Sequence, residues 1–338
     1  MNIFIDLLHP AHVNLFKRLI NRNSDKHNFI ISCINRGKVP KIAKEEIQDV
    51  PVNIIGKHSG TKLSIIFQAN FFRFFQLFWF LQKKNIDVGI SFGSFLAGAI
   101  LKLKNKPNIH LSDDPERKLN AFLENITCSE RYLPPIVPEN SKIKTFNALK
   151  EWSYLSPSYF SPNNQILTIY NLKPQKYIFV REVSTGSLNY ANQEKNIIAS
   201  IAKDFPKDMQ ILLSLEDKNT KGDYPPHWKI LKEPVKDIHS LLFYSKLVIS
   251  SGDSMAREGA MLGVPSIYCG SRIMKANELL IDKKILFHIA PGKTADFAKQ
   301  IIKGSFDYPL QNEFRNSLLN QWTDVNKFLK KILEKYDY

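Results

Sequence analysis

The sequence predicts an α/β protein of two doubly wound, Rossmann-like parallel-sheet domains. Three observations predict it. Short apolar runs alternate with longer helical patterns from the first residue, the alternation breaks near the middle, and it then restarts. At 338 residues the chain is also too long for one ordinary core.

In the first half the strand candidates are Ile3–Leu7, Phe29–Cys33, Val52–Ile55, Val88–Ser91 and Asn108–Leu111. Helical patterns lie between them at Val13–Asn23, Lys62–Lys84 and Phe95–Leu103. The pattern breaks around Leu133-Pro134-Pro135-Ile136-Val137-Pro138 and again over Ser156–Asn164. It resumes with strands at Tyr177–Arg181, Gln210–Ser214, Leu247–Ser250 and Ser266–Tyr268. These boundaries give a first domain over residues 1–160, a second over 173–310, and a helical tail over 311–338 expected to cross back to the first. The two domains are expected to face each other across a cleft.

Composition narrows the function classes. Hydrophobic residues make up 43% and charged residues 23%, the profile of a soluble globular protein. Cys33, Cys128 and Cys269 are far apart and odd in number, so neither a disulfide framework nor a zinc site is indicated. The first residues read as a strand rather than a signal peptide, and no run of about 18 apolar residues occurs, so a cytoplasmic location is expected. The net charge of +15 fits an anionic membrane surface or a diphosphate substrate. Nucleic acid is disfavoured, because no nucleic-acid-binding motif accompanies the charge.

Ligands of open parallel sheets bind beyond the carboxyl ends of the strands. The loop after Leu247–Ser250 reads Ser251-Gly252-Asp253-Ser254, with Glu258 further into the following helix and Gly263-Val264-Pro265 beyond. Asp253 or Ser254 can cap that helix, Gly252 lets backbone approach a ligand, and the helix start offers free N–H groups to phosphate. Glu258 can accept bonds from two ribose hydroxyls; the alternative is a capped helix with a surface Glu. Arg181 ends a strand and suits a diphosphate, or pairs with Glu182.

In the first half, His9 and His12 lie in the loop Leu8–His12, where a histidine contacts phosphate, serves as a base, or caps the helix. Gly93 and Ser94 end another strand; such small residues admit a substrate or permit tight packing. Ser112-Asp113-Asp114 follows the next strand, where Asp113 is a candidate base and helix capping is the alternative. Between Leu63 and Leu81 stand Phe67, Phe71, Phe72, Phe74, Phe75, Phe78, Trp79 and Phe80. Core packing explains some of these rings. An exposed face beside Lys83 and Lys84 would make the segment an interfacial membrane helix, and a fully covered helix is the alternative.

Several of these motifs, with Gly56-Lys57-His58-Ser59-Gly60, Leu149–Leu155 and Tyr159-Phe160-Ser161-Pro162, occur in an order that resembles the domain of unknown function 354 family. That resemblance implies a glycosyltransferase of the GT-B type. Ser251–Pro265 is also similar to the donor segment of two other GT-B groups. These are the lipid-intermediate N-acetylglucosaminyltransferases of peptidoglycan synthesis and the non-hydrolysing UDP-N-acetylglucosamine 2-epimerases. Both carry Ser-Gly, then a Glu, then Gly-x-Pro, as here at Glu258, Gly263 and Pro265. The similarity implies that the second domain holds a nucleoside diphosphate sugar, through Ser251, Gly252, Ser254 and Glu258 with Arg181 near the diphosphate. The first domain then presents a glycan or lipid-linked acceptor, with His12 or Asp113 as base and His9, Gly93 and Ser94 around it. The nucleotide-sugar is a co-substrate, and neither a further cofactor nor a metal is expected. Where the epimerases have Gly-Asp-Thr this chain has Gly93-Ser94-Phe95, which disfavours epimerisation. A nucleotide-sugar epimerase and a non-catalytic nucleotide-sugar-binding protein are the alternatives.

Overall fold

Runs such as Ile3-Phe4-Ile5 and Leu247-Val248-Ile249 have no polar side, and in the folded chain both faces of each are covered. That is the environment of a parallel strand sandwiched between helix layers. The computed structural model describes residues 1–57, 65–184, 190, 193–232, 235 and 237–337, the side chains of residues 65–67 excepted. His58-Ser59-Gly60 of the Gly56–Gly60 motif, Leu63 at the head of the aromatic segment and the Phe67 side chain lie outside the described residues.

The chain divides into two units, Met1–Tyr154 with Trp322–Tyr338, and Leu155–Gln321. The first unit holds seven parallel strands: β1 (Asn2–Leu7), β2 (Asn28–Asn35), β3 (Val52–Lys57), β4 (Val88–Phe92), β5 (Asn108–Leu111), β6 (Glu130–Leu133) and β7 (Ile143–Thr145). Their order is β3-β2-β1-β4-β5-β6-β7, so the winding reverses between β1 and β4. The second unit repeats the plan with β8 (Tyr177–Glu182), β9 (Gln210–Leu215), β10 (Lys229–Ile230), β11 (Leu247–Ser250), β12 (Ser266–Tyr268) and β13 (Leu286–His288). Its order is β10-β9-β8-β11-β12-β13, reversing between β8 and β11. In each unit the crevice at the reversal is where such sheets take their ligands.

Strands β6, β7, β10 and β13 go beyond the expected set. The first two flank the break in the pattern around Leu133–Pro138, which is irregular from Pro134 to Lys142 as read from the sequence. All four lie at or next to a sheet edge, where two to four residues suffice and no continuous apolar run is needed.

The first helix begins at Pro10 rather than Val13. Proline loses nothing at the first helical position, where its missing N–H has no partner to serve. The aromatic segment runs as a π-helical stretch, Ile65–Phe72, into the α-helix Arg73–Gln82. Arg73 is buried and anchors that helix to the sheet: its Nη2 meets Asp6 Oδ1 at 2.5 Å and its Nε donates to Ile55 O at 3.0 Å. Gly56 makes room for this crossing. Its φ is +80°, and a Cβ there would lie 2.6 Å from Arg73 Cγ. Asp6 also accepts from Ser32 Oγ and Ser94 Oγ, each at 2.6 Å, so the buried charge pair is fully clothed.

The tail is shared between the units. The helix Gln311–Gln321 packs within the second unit, where Gln311 Nε2 donates to Phe243 O and Leu262 O. The helix Val325–Glu334 packs within the first, stacking Phe328 on Phe146 and burying Leu329 and Leu333. Among the described residues no helix is long and apolar enough to cross a membrane.

Candidate functional site

In the second unit the reversal point falls between Arg181–Glu182 and Ser251–Gly252. Ser250 closes the turn after β11: its Oγ accepts from Gly252 N at 3.0 Å and donates to Gly252 O at 2.6 Å. The helix Asp253–Met261 then starts with Gly252 as its N-cap and without a side-chain cap, so neither Asp253 nor Ser254 caps it. Asp253 is drawn elsewhere. It accepts from Tyr190 Oη at 2.6 Å and lies 3.5 Å from Arg272 and 3.6 Å from Arg257. Burial, with the Asp253 charge, pushes the Tyr190 phenol well above its ordinary range, so it remains a donor at any working pH. The helix start thus has no side-chain cap, and Ser254 stands half-buried in its first turn.

Ser251 is fully buried, and its Oγ accepts from Val183 N at 2.9 Å. It holds the two central strand ends together. Gly252 keeps those ends close: a Cβ there would lie 2.5 Å from Val183 Cγ1. Arg181 does not pair with Glu182. Its Nη1 donates to Ser214 Oγ at 2.8 Å and its Nη2 lies 3.4 Å from Glu216. Glu182 is buried and accepts from Ile198 N at 2.7 Å and Tyr224 Oη at 3.2 Å, and burial raises its pKa. Glu258 lies about one and a half turns into the helix, 7% exposed, with Oε1 3.6 Å from His239 Nε2. His239 stands edge-on to Phe160, whose carbonyl receives Arg315. A cavity of about 410 Å³ opens beside these strand ends, lined by Val183, Ser184, Lys195, Asn196, Asp217 and Thr220 among others.

The first unit gathers a separate set of residues at its own reversal point. His9 is exposed and caps the first helix, its Nδ1 accepting from Ala11 N at 3.2 Å. His12 belongs to the first helical turn rather than the loop, is buried, and sits 5.1 Å from the Phe92 ring. Burial above all, then the charges of His9 and Lys150, holds its pKa well below 6.5. Gly93 adopts φ +69° and a Cβ there would meet open space, so glycine is needed for its backbone alone. Ser94 is buried; it caps the helix Phe95–Leu103 through Ala97 N and donates to Asp6. Asp113 forms a buried ion pair with Lys150, which also donates to Glu151 at 2.9 Å and lies 5.1 Å from the Phe92 ring. The helix after Asp113 starts at Lys118 with Arg117 as N-cap, so Asp113 does not cap it.

The structure thus brings Arg181, Ser251, Gly252, Ser254 and Glu258 to one end of the second sheet. His12, Gly93, Ser94 and Asp113 come to the corresponding end of the first. Sequence reasoning missed His239, Ser214, Lys150 and Glu151. Lys150 and Glu151 stand inside the quoted Leu149–Leu155 motif, and a buried Lys-Glu step was the available signal. His239 gave none, since it is met only through the fold.

Residues 1–334 match the model of a family described as a protein of unknown function, DUF354. An uncharacterized protein of Methanocaldococcus jannaschii, MJ0665, is 24% identical over 304 residues, 85% of this chain and 87% of that protein. Among solved structures, the UDP-GlcNAc 2-epimerase of M. jannaschii in complex with UDP-GlcNAc and UDP is similar at TM-score 0.73 and 15% identity, over 99% of this chain and 100% of that one. The S. aureus MnaA–UDP co-structure follows at 0.71 and 12%, over 99% and 96%. Spinosyn forosaminyltransferase SpnP matches at 0.66 and 11%, over the full length of both. At these identities the likeness is one of fold: two parallel-sheet α/β domains of the GT-B type.

Proposed function

We propose, from the premise that this chain belongs to the DUF354 family, that it is a glycosyltransferase taking its sugar from a nucleoside diphosphate donor, with uridine as the nucleoside. The observation that carries the reading is Glu258: a carboxylate nine-tenths buried, one and a half turns into a helix whose N-terminus has no side-chain cap, with His239 beside it. An uncapped helix start suits a diphosphate, and a carboxylate at that depth suits the paired hydroxyls of a ribose. Arg181, held to Ser214 and Glu216, adds a fixed positive fork on the neighbouring strand. The MnaA and M. jannaschii structures are described as bound to UDP or UDP-GlcNAc, which supports nucleotide-sugar binding on this fold.

In the transfer, an acceptor hydroxyl attacks the anomeric carbon while the bond from that carbon to the diphosphate oxygen breaks. The helix dipole and Arg181 stabilise the leaving diphosphate. The acceptor, a glycan or lipid-linked sugar of surface polysaccharide assembly, is held by the first unit. Its proton passes to His12, which is neutral at pH 7 because its pKa is lowered. The Leu8 N–H donates to Nδ1 at 3.4 Å, so Nδ1 is the accepting nitrogen of the neutral ring, and taking up the proton there breaks this long bond. Asp113 is committed to Lys150 and positions rather than abstracts.

Incubation with UDP-sugars, alone and with oligosaccharide or lipid-linked acceptors, tests the reading by chromatography. Release of UDP that depends on acceptor supports transfer. A new sugar isomer from donor alone would make the protein an epimerase, and binding without turnover would make it a nucleotide-sugar-binding protein.

A further inference from the structure

The helix Arg73–Gln82 buries one side only. Arg73, Leu77 and Leu81 are buried, while Phe74, Phe78 and Phe80 pack half-buried on the core. The opposite side exposes Phe75 at 45% and Trp79 at 66%, and the end of the preceding π-helical stretch exposes Phe71 and Phe72 at 56%. Phe72, Phe75, Trp79 and the exposed Lys83 fall at intervals of three and four, a single ridge along the outer face. Exposure of four aromatic rings on a water-facing helix opposes the hydrophobic effect unless something covers them.

The pattern continues across the helix layer. Arg73–Gln82 packs beside Phe95–Leu103, which packs beside Lys118–Thr127. This third helix exposes Leu119, Phe122 and Ile126, again at intervals of three and four, and Leu103 is exposed at the end of the second. Lys102 ties the two helices by donating to Ile126 O at 2.8 Å and remains exposed. The apolar surface is therefore a broad helical face, not a groove shaped for one peptide.

Charge identifies what covers it. From Pro51 to Thr127, which spans the three helices, the sequence has ten Lys and Arg residues and five acids, of which Asp113 and Glu124 are buried in ion pairs with Lys150 and Arg131. A third, Asp87, is turned away into hydrogen bonds with Asn2. Exposed Lys83, Lys84, Lys102 and Lys118 lie on or beside the apolar helices. A basic rim around aromatic and aliphatic side chains matches an anionic lipid surface, where rings settle at headgroup depth and lysines meet phosphates. A protein partner of ordinary polarity has no need of so one-sided a charge.

We propose that this helix layer of the first unit docks flat on an anionic lipid bilayer, without crossing it. The ion pair of Arg73 with Asp6, which also receives Ser94, fixes the docked helix to the carboxyl end of the first sheet. That arrangement brings a lipid-linked molecule to the residues assigned above to the acceptor. The docking itself does not depend on the glycosyl-transfer reading, and its test uses no activity.

Co-sedimentation of the full chain with phosphatidylcholine vesicles, with and without phosphatidylglycerol, is the experiment. Binding is expected with the mixed vesicles and should fall as salt rises from about 0.1 M to about 1 M, which shortens the screening length from ~10 to ~3 Å. Replacing Phe72, Phe75 and Trp79 together by Ser should weaken it at least about tenfold. Lys83→Gln and Lys84→Gln should each weaken it about fivefold. Leu119→Ser with Phe122→Ser, on the neighbouring helix, gives an independent variant, and circular dichroism verifies that each remains folded. Failure of the wild type to sediment with mixed vesicles overturns the proposal, as does undiminished binding by both apolar variants. A wild-type dimer that the Phe72/Phe75/Trp79 variant turns into a monomer, with no vesicle binding by either, would assign the face to a second copy of the chain instead.

Discussion

Glu258 and His239 carry the sharpest expectation for a single side chain. Two charge-assisted hydrogen bonds to ribose hydroxyls are worth about 1.5–3 kcal/mol each. Glu258→Ala should therefore weaken UDP binding by roughly 10²–10⁴-fold, since about 3–6 kcal/mol is lost at about 1.4 kcal/mol per decade. A folded Glu258→Ala protein that binds UDP as tightly as wild type, measured by calorimetry, would remove the donor site from this helix. His12 gives an expectation in pH. Its folded pKa lies well below the 6.5 of an exposed histidine, because burial disfavours the imidazolium. Above pH 6.5 both states are neutral and the group adds no pH dependence. As pH falls below 6.5 the unfolded chain takes up a proton that the folded one refuses, so stability declines until the folded pKa is reached. His12→Gln should flatten the stability curve in that window; denaturant titrations at pH 7 and pH 5 compare the two proteins. Position in sequence pointed to both Glu258 and His12. Their neighbours were hidden, because His239 comes from another helix and Lys150, whose charge helps lower the His12 pKa, from far along the chain, and only the fold brings them together.

At the scale of an element, the turn from β11 into its helix is the tightest piece of the second site. Its glycine is not there for a left-handed backbone, since Gly252 has φ −111° and any residue adopts that value. It is there because a side chain would run into Val183, 2.5 Å away on the neighbouring strand end. Valine is too stiff to swing clear. Gly252→Ala should cost about 1–3 kcal/mol of stability and also weaken nucleotide binding, since the helix start must move. Adding Val183→Ala should restore most of both, and thermal melts with and without UDP for the two variants measure it. An unaltered single variant would show that the turn has slack. The central strands were legible because they are buried on both faces and read as unbroken apolar runs. The four outer strands were not. Glu130-Arg131-Tyr132-Leu133 carries charges that Glu124 and Lys144 satisfy in the fold, and Lys229-Ile230 is too short for any periodicity. The start of the Asp253–Met261 helix was misread for a related reason. Asp253 has the chemistry of a cap, but the fold gives its carboxylate to Tyr190, Arg257 and Arg272.

Over the whole molecule, the first unit is assembled from two distant stretches of chain, and its last one makes a consequential test. Trp322 crosses Trp152 edge-on at 5.5 Å, Phe328 stacks on Phe146 at 4.9 Å, and Asn326 donates to Ser153 O at 2.7 Å. Trp322, Val325, Leu329, Ile332 and Leu333 are all buried. At about 1.5–3 kcal/mol for each large side chain, their removal forfeits on the order of 10 kcal/mol before any discount for residual structure in the unfolded chain. A domain is stable by about 5–15 kcal/mol in total, so the loss is comparable with everything that holds the first unit folded. The second unit, Leu155–Gln321, keeps all its strands and its own core when the chain ends at Gln321. Truncation there should consequently unfold the first unit selectively. Limited proteolysis would then leave a resistant fragment near residues 155–321, and that fragment should still bind UDP if Glu258 and the Asp253–Met261 helix form the donor site. A truncated protein that resists proteolysis across residues 1–154 would show that the tail is an accessory to the first core. A resistant second unit that has lost UDP binding would mean that the donor needs groups from the first.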